Sequence, residues 1–363
     1  MSIEELLLSR FAGLAPYEPG RPIASVTREL GLTDVIKLAS NENPLGPSPL
    51  ALLAAQKTLA QAALYPESSA PELKAALFSR FGVPLDAITV GNGSNDVLDL
   101  VARALLSAGD EVVIPRYAFA IFKVVAKVHG AKVVEAPDKH FGHDLDAIRE
   151  LLGPRTRMVF LANPNNPTGT FVDLDKIYDF LEGLPPHVLL VLDEAYIEYL
   201  PEDARSQSLS WLPRFPNLFV TRTFSKIHGL AGFRVGYGFG HPALISIIER
   251  IRPSFNVNAM AQAAARAALL DTAHERASLE MNGRSKKILE EALLARGIPF
   301  LPSFANFLCL EVGDGDKFFS ALLRQGVIVR PLKGYGMPRH VRITLGTPGQ
   351  MQRLFDAMEK SGV

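Results

Sequence analysis

The sequence predicts an α/β fold, because short apolar runs alternate with helical patterns through the middle of the chain. Each run is apolar at consecutive positions, which is typical of strands in a mostly parallel sheet covered by helices on both faces. The predicted strands are 88–90, 111–115, 132–135, 158–162, 188–192 and 218–221. The predicted helices between them include 96–106, 118–128 and 174–181.

After about residue 253 the pattern changes and predicts a second, smaller α+β domain. It begins with a helical stretch over 259–296 that we expect to be interrupted near Asn282 and Gly283. The strands predicted after it are 306–312, 327–330 and 341–345, and the predicted helices are 317–324 and 349–360.

The first residues differ from both of these regions. Pro16, Pro19, Pro22 and Pro44 predict an arm without packed elements, because proline interrupts helices and strands. The expected division of the chain is 1–44 for the arm and part of the small domain, 45–253 for the large domain and 254–363 for the small C-terminal domain.

The composition of the 363 residues is that of a globular protein and argues against several classes of function. Hydrophobic residues make up 48% of the chain, which is too many for a disordered protein. The 38 basic residues balance the 38 acidic ones, whereas proteins that grip nucleic acid or an acidic membrane usually carry a basic excess. We therefore expect neither nucleic acid nor a membrane as a partner.

The single cysteine and the first residues of the chain indicate where in the cell the protein is expected to work. Cys309 lies in an apolar run, which predicts a buried strand position, and by itself it makes neither a disulfide nor a zinc site. Glu4 and Glu5 stand where a signal peptide carries basic residues, and no apolar stretch approaches the ~20 residues that span a bilayer. We expect a soluble, cytoplasmic protein without a metal.

The most informative segment is TRTFSKIHGLAGFR at 221–234, which follows a predicted strand. A lysine at the carboxyl end of a strand in an α/β sheet lies in the crevice where such folds bind ligands. When it is partly desolvated, Lys226 can lose its proton and form a Schiff base with a carbonyl group. Thr223, Ser225 and Arg234 can together hold a phosphate. An ordinary surface lysine in a loop is the alternative.

Three further polar groups follow predicted strands. Asn166, in NPNNPTG at 163–169, can donate a hydrogen bond into the same crevice, although these residue types also make ordinary turns. Asp193 ends a fully apolar strand, where an unpaired carboxylate is costly, so it faces a cation or a metal, or else caps the next turn. The glycines and free amides of GNGSND at 91–96 favour an anion, with a plain capped turn as the alternative.

Together these segments resemble the fold-type-I aminotransferases that use pyridoxal 5′-phosphate, and within them the histidinol-phosphate aminotransferase family. The likeness covers nearly the whole chain. The segments that carry it are APYEPG at 15–20, KLASNENPLG at 37–46, Tyr65-Pro66, GNGS at 91–94, NPNNPTG at 163–169, DEAY at 193–196, SKIHGLAGFR at 225–234, GVIVR at 326–330 and VRIT at 341–344. The resemblance implies a mostly parallel, seven-stranded sheet in the large domain.

The resemblance also implies a binding site for pyridoxal 5′-phosphate. Lys226 would carry the cofactor and move protons, and Asp193 would pair with its ring nitrogen. Asn166 and Tyr196 would hydrogen-bond its phenolic oxygen, and Tyr117 would stack on its ring. The residues that would surround its phosphate are Gly93, Ser94, Asn95, Thr223, Ser225 and Arg234.

The reaction that the resemblance implies is the transfer of the amino group of L-histidinol phosphate to 2-oxoglutarate, in histidine biosynthesis. Tyr17, Asn41, Arg330 and Arg342 would bind the substrate, with the two arginines gripping its anion. The enzyme would be a homodimer in which Tyr65 reaches the cofactor phosphate of the other subunit. An aromatic amino acid aminotransferase and a threonine-phosphate decarboxylase use the same scaffold and stay open, and a non-catalytic regulatory module is a remoter alternative.

Overall fold

The computed structural model describes residues 2–11 and 20–363. Its strands are β1 (Ile36–Lys37), β2 (Ile88–Gly91), β3 (Glu111–Pro115), β4 (Lys132–Ala136), β5 (Asp138–Lys139), β6 (Gly142–His143), β7 (Thr156–Ala162), β8 (Leu189–Asp193), β9 (Leu218–Thr223), β10 (Gly236–Gly240), β11 (Phe307–Glu311), β12 (Val327–Ile328), β13 (Arg330–Pro331) and β14 (His340–Thr344).

The helices within residues 2–11 and 20–363 pack around these strands. They are α1 (Ile3–Phe11), α2 (Ile23–Leu30), α3 (Pro49–Leu59), α4 (Pro71–Phe81), α5 (Ser94–Leu105), α6 (Ala120–Val128), α7 (Leu145–Glu150), α8 (Leu174–Glu182), α9 (Gln207–Ser210), α10 (Pro242–Ile251), α11 (Ala259–Leu270), α12 (Thr272–Ala295), α13 (Gly315–Arg324) and α14 (Pro348–Ser361). Among the described residues, no helix is both long and apolar enough to cross a membrane.

The large sheet has seven strands in the order β2-β10-β9-β8-β7-β3-β4. β10 is antiparallel to both of its neighbours, and the other pairs are parallel, so the expectation of a mostly parallel, seven-stranded sheet is confirmed. The sequence pattern did not predict β10, because its GYGFG sequence is rich in glycine, which is depleted in strands. Gly238 is needed for packing, since a Cβ there would collide with the ring of Phe219.

Both faces of the large sheet are buried, which explains the continuous apolar runs of its strands. In β7, Val159 and Leu161 enter one core, and Met158 and Phe160 enter the other. Helices α3, α4, α8 and α11 contribute to the first core, and α5, α6 and α10 contribute to the second. Packing on both faces therefore holds the strands in place, and the residues at the strand ends can form a site.

A smaller antiparallel sheet has the strand order β11-β14-β13, and residues of α12, α13 and α14 pack against it. The parallel pair of β1 and β12 lies beside this part of the chain, with Ile36 opposite Val327. The expectation of an arm without packed elements is therefore wrong for residues 23–37, where α2 also buries Val26 completely. The domain boundaries at residues 44 and 253 stay a prediction.

The interruption predicted near Asn282 and Gly283 is also wrong, because both residues lie inside the 24-residue helix α12. The break falls instead at Asp271, whose carboxylate accepts hydrogen bonds from the His274 amide at 3.1 Å and the Ser48 hydroxyl at 2.5 Å. A glycine inside a helix costs only about 1 kcal/mol, so the packing of the buried face of α12 overrides it.

Candidate active site

A cavity of about 250 Å³ lies where β2, β7, β8 and β9 end, and Arg342 of β14 closes one side of it. The strand register makes these ends level, since Ala162 pairs with Asp193 and Asp193 pairs with Thr221. Open α/β sheets bind their ligands at this edge. A larger, more open cavity of about 600 Å³ beside α7 and α8 contains none of the predicted site residues.

Most of the predicted site residues meet at this cavity. Those that line it are Asn41, Ser94, Asn95, Asn166, Asp193, Tyr196, Thr223, Ser225, Lys226, Arg234 and Arg342. Gly93 lies directly behind the lining, because a Cβ at this position would collide with the guanidinium of Arg234. Arg330 does not line the cavity, but it lies directly opposite Arg342 in the pairing of β13 with β14.

Two of the predicted tyrosines, Tyr65 and Tyr117, do not line the cavity. Tyr17 lies outside the described residues, and Tyr65 is 82% exposed. Tyr117 stacks on Phe141 with ring centroids 5.5 Å apart, and Phe119 lines the cavity instead. Phe119 is the residue that immediately precedes α6, in the turn that leads from β3 into this helix.

Lys226 lies in the loop after β9, and the N-terminal segment packs against this loop. Its Nζ donates a hydrogen bond to the Ser40 carbonyl oxygen at 3.3 Å and lies 5.6 Å from the centroid of the Tyr196 ring. Asn43 Nδ2 donates to the carbonyl oxygen of Ile227 at 2.7 Å. Ser40, which directly precedes Asn41, also lines the cavity, although no sequence pattern marks it.

The Asp193 carboxyl group is 4% exposed, and its Oδ1 has no hydrogen-bond partner among the described residues. Burial raises the pKa of Asp193 to about 7, although the backbone amide of Ala195 and the charge of Lys226 act in the opposite direction. A protonated nitrogen placed in the cavity would satisfy this carboxylate. The site therefore fits a ligand that presents a cationic N–H group here.

An anion cradle lies at the start of α5, where the backbone amides of Ser94 and Asn95 precede those of Asp96 and Val97, which donate to the Gly93 carbonyl oxygen. Arg234 Nη1 donates to Ser225 Oγ at 3.5 Å, and Thr223 Oγ1 donates to Ser225 Oγ at 3.0 Å. A Cβ at Gly236 would collide with the backbone of the Gly93–Ser94 turn, so the turn approaches β10 closely. The cradle combines amides, hydroxyls and a guanidinium, which suits a phosphate.

Arg342 is 5% exposed, and its guanidinium stands 5.2 Å from the centroid of the Phe307 ring. Its Nη2 donates to the Ala39 carbonyl oxygen at 2.7 Å, and its Nη1 donates to Asn166 Oδ1. The Nε atom of Arg342 has no partner among residues 2–11 and 20–363. Because arginine only donates, the end of the Asn166 amide that faces it is the oxygen.

The comparisons with known proteins agree with this geometry. The chain matches the family described as Aminotransferase class I and II over residues 33–358. Histidinol-phosphate aminotransferase 1 of Nitrosococcus oceani is 48% identical over 98% of this chain and 96% of its own length. The protein of the same name from Thiobacillus denitrificans is 50% identical over 95% of this chain and 90% of its own length.

Solved structures show the same relationship in three dimensions. The crystal structure of histidinol-phosphate aminotransferase from Sinorhizobium meliloti in complex with pyridoxal-5′-phosphate has a TM-score of 0.87 and 29% sequence identity, with 97% of each chain covered. An aspartate aminotransferase of Thermus thermophilus shares the fold, with a TM-score of 0.82 and 24% identity. The chain therefore belongs to the class I and II aminotransferases and, within them, to the histidinol-phosphate aminotransferase family.

Proposed function

We propose that this protein uses pyridoxal 5′-phosphate to transfer the amino group of L-histidinol phosphate to 2-oxoglutarate. The products are imidazole acetol phosphate and L-glutamate, and the reaction belongs to histidine biosynthesis. The observation that carries the proposal is one cavity that groups Lys226 with an anion cradle, the guanidinium of Arg342 and the buried Asp193 carboxylate, whose Oδ1 has no partner among the described residues. The names of the relatives support the choice of substrate.

The cavity residues fit each charged part of this cofactor. The start of α5, with Ser225 and Arg234, would hold the phosphate, and Asp193 would accept a hydrogen bond from the protonated ring nitrogen. We assign the contact with the ring face to Phe119, since it is the aromatic residue after β3 that lines the cavity. When bound, the cofactor supplies an electron sink for the carbanion formed at the reacting carbon.

Lys226 would attach the cofactor and act as the general base. Among the described residues that line the cavity, it is the only amine. Its Nζ would remove the proton from the amine-bearing carbon of the substrate and return a proton later in the reaction. Asn166 and Tyr196 would donate hydrogen bonds to the phenolic oxygen of the cofactor, and Asp193 would hold the ring nitrogen protonated.

Arg330 and Arg342 would grip the phosphate of the substrate. Residues directly opposite each other in an antiparallel pair project from the same face, and like charges at such positions disfavour pairing. An anion bound between them would remove this repulsion, and the unpartnered Arg342 Nε is one donor for it. Asn41 and Tyr17 would complete the substrate side of the site.

We also propose that the working unit is a homodimer in the cytoplasm. The Tyr65 side chain is exposed, and so are Leu52, Leu53 and Leu59 on α3. Exposed apolar patches of this kind mark interfaces, and a second copy of the chain would cover this one. Tyr65 would then reach the cofactor phosphate of the other subunit.

A substrate screen with 2-oxoglutarate as the acceptor tests the proposed reaction. We expect kcat/KM for histidinol phosphate to exceed that for phenylalanine and tyrosine by about thirty-fold or more, since a phosphate held by two arginines adds at least about 2 kcal/mol. A higher kcat/KM for the aromatic amino acids would identify an aromatic aminotransferase. Carbon dioxide release from threonine phosphate would identify a decarboxylase.

A further inference from the structure

Asn41 joins the N-terminal segment to Tyr196 through hydrogen bonds that all lie away from solvent. Its backbone amide donates to Thr344 Oγ1 at 2.9 Å, and its carbonyl oxygen accepts from Asn306 Nδ2 at 3.0 Å. Its side-chain Nδ2 donates to Tyr196 Oη at 2.8 Å, while the Thr344 hydroxyl donates to Asn41 Oδ1 at 3.1 Å. Each of these four residues is at most 3% exposed.

The direction of these hydrogen bonds follows from what each group can donate. A backbone amide only donates, so the Thr344 oxygen accepts from it and the Thr344 proton is directed to Asn41 Oδ1. This bond fixes the oxygen end of the Asn41 amide, and the nitrogen end therefore faces Tyr196. Because an amide nitrogen only donates, Tyr196 Oη accepts, and its own proton points away from Asn41.

The backbone of Asn41 is held in an uncommon conformation. Its φ of 56° lies in the left-handed region, which residues other than glycine and asparagine seldom adopt. The bonds from Thr344 and Asn306 fix both of its backbone polar groups. A residue held in this way at the wall of a cavity is oriented by its surroundings, which sustain the conformational cost.

We propose that Asn41, oriented by Thr344, is a positioning residue that makes Tyr196 a hydrogen-bond donor toward the phenolic oxygen of the cofactor. This inference rests on the proposed function, which supplies that oxygen. A hydrogen bond donated to the oxygen draws electron density from it and weakens its hold on the proton of the nitrogen that joins Lys226 to the cofactor. The pair of Asn41 and Thr344 therefore keeps the pKa of that nitrogen low.

The test is a pH titration of the visible absorbance of the cofactor-loaded protein, with no substrate present. Thr344→Val keeps the side-chain shape and removes the hydroxyl, so the Asn41 amide loses its fixed orientation. We expect the pKa of the nitrogen to rise by about 1 unit toward the value in Tyr196→Phe, because a hydrogen bond to a charged group is worth about one pKa unit or more. Thr344→Ser keeps the hydroxyl and should titrate like the wild type.

A second variant and a double variant separate positioning from a general disturbance. Asn41→Gly tolerates the positive φ and removes the donor to Tyr196, so it should show the same rise even if Thr344→Val does not fold. Thr344→Val combined with Tyr196→Phe should titrate like Tyr196→Phe alone. An unchanged pKa in both single variants, or a further rise of equal size in the double variant, overturns the inference.

The same titration separates failure of this inference from failure of the proposed function. Because no substrate is added, a wrong substrate assignment leaves the titration unaffected. Visible absorbance that titrates alike in the wild type, Thr344→Val and Asn41→Gly overturns the positioning role alone. A wild-type protein that acquires no such absorbance with pyridoxal 5′-phosphate overturns the proposed function, and this inference with it.

Discussion

Asp193 is a single carboxyl group that restricts which ligands the cavity accepts. In the described chain burial raises its pKa to about 7, so that near neutral pH the group is divided between its charged and its neutral form. A cationic ring nitrogen beside it would lower this pKa and keep the carboxylate charged. The same attraction would keep the nitrogen protonated, since the two charges stabilise each other where water is excluded.

Arg342 is the residue at which substrate recognition can be tested. Arg342→Gln should load the cofactor as the wild type does but lower kcat/KM for histidinol phosphate by about thirty-fold to several thousand-fold, because a lost charge-assisted contact in a desolvated site costs roughly 2–5 kcal/mol. Steady-state kinetics with histidinol phosphate and with unphosphorylated histidinol measures this loss. Histidinol, which lacks the phosphate, should be much less affected.

Arg339→Gln is the matched control for that substitution, because Arg339 is a nearby arginine that pairs with Glu311 at the surface and does not line the cavity. It should leave kcat/KM unchanged. Arg342 also holds Asn166, and loss of that bond would affect both substrates alike. Equal losses for histidinol and histidinol phosphate would therefore show that Arg342 does not bind the phosphate.

Single residues could be predicted from the sequence where a polar side chain follows an apolar strand. Lys226, Asp193 and Asn166 met this condition, and the structure brings all three to the cavity. Phe119 could not be told from Tyr117, because both are aromatic residues in the short turn between β3 and α6. The bond from Asn41 to Tyr196 joins residues 155 positions apart, a distance over which a sequence pattern gives no information about contact.

At the scale of elements, consecutive residues at the end of β8 contribute to two different sites, one on each side of the strand. Asp193 faces the cavity, while the next residue, Glu194, pairs with Arg222 at 2.7 Å, and both partners are 1% exposed. Glu198 follows in a short 3₁₀ helix, and neither of its carboxyl oxygens has a partner among the described residues. A cavity of about 220 Å³ that contains Glu198 and Arg222 lies on this side.

This cluster predicts a pH dependence of stability. Burial raises the pKa of Glu198 to about 7 against the opposing charge of Arg222, with Glu275 and Glu194 adding to the rise. The folded protein keeps this proton to higher pH than the unfolded chain does, so the free energy of unfolding falls as pH rises from about 4.5 to about 7. Glu198→Gln should remove about 3 kcal/mol of that fall.

Urea unfolding of the cofactor-free protein at several pH values measures this effect. Asp193 contributes in the same direction, so part of the fall should persist in Glu198→Gln. Glu202→Gln is the matched control, because Glu202 borders the same cavity but is exposed. If Glu198→Gln and the wild type lose stability equally over this range, the Glu198 carboxyl group is not protonated in the folded protein.

The boundaries of elements with a strong apolar pattern could be predicted to within a few residues. Elements without such a pattern, such as β10, could not be predicted. β2, β3, β7, β8 and β9 are buried on both faces, which makes their sequences apolar at successive positions. The edge strand β4 carries only a short apolar run, in which Val133 and Val134 are half-buried. β10 lacks this signal because glycine fills three of its five positions: the Phe219 ring occupies the space beside Gly238 and Gly240, and the Gly93–Ser94 backbone occupies the space beside Gly236. The start of α12 is capped by Asp271, whose carboxylate accepts from the His274 amide and is also held by Ser48, a residue far away in the sequence.

At the scale of the whole molecule, the proposed dimer can be tested with hybrid enzymes. Mixing Tyr65→Phe chains with Lys226→Ala chains should restore part of the activity, because hybrids would have both lesions in one site and none in the other. Activity is measured on hybrids separated by affinity tags. Mixing Asp193→Asn with Lys226→Ala is the control and should restore nothing, since each chain then damages its own site. Equal results for the two mixtures would contradict a shared site.

Borohydride reduction followed by peptide mass spectrometry tests most directly whether Lys226 carries the cofactor and whether histidinol phosphate removes it from the lysine. We predict a reduced cofactor adduct on the peptide that contains Lys226. The adduct should largely disappear when the protein is first incubated with histidinol phosphate in the absence of 2-oxoglutarate, and it should persist after incubation with histidinol. An adduct on a different lysine, or one on Lys226 that histidinol phosphate leaves unchanged, would contradict the proposed site and its substrate.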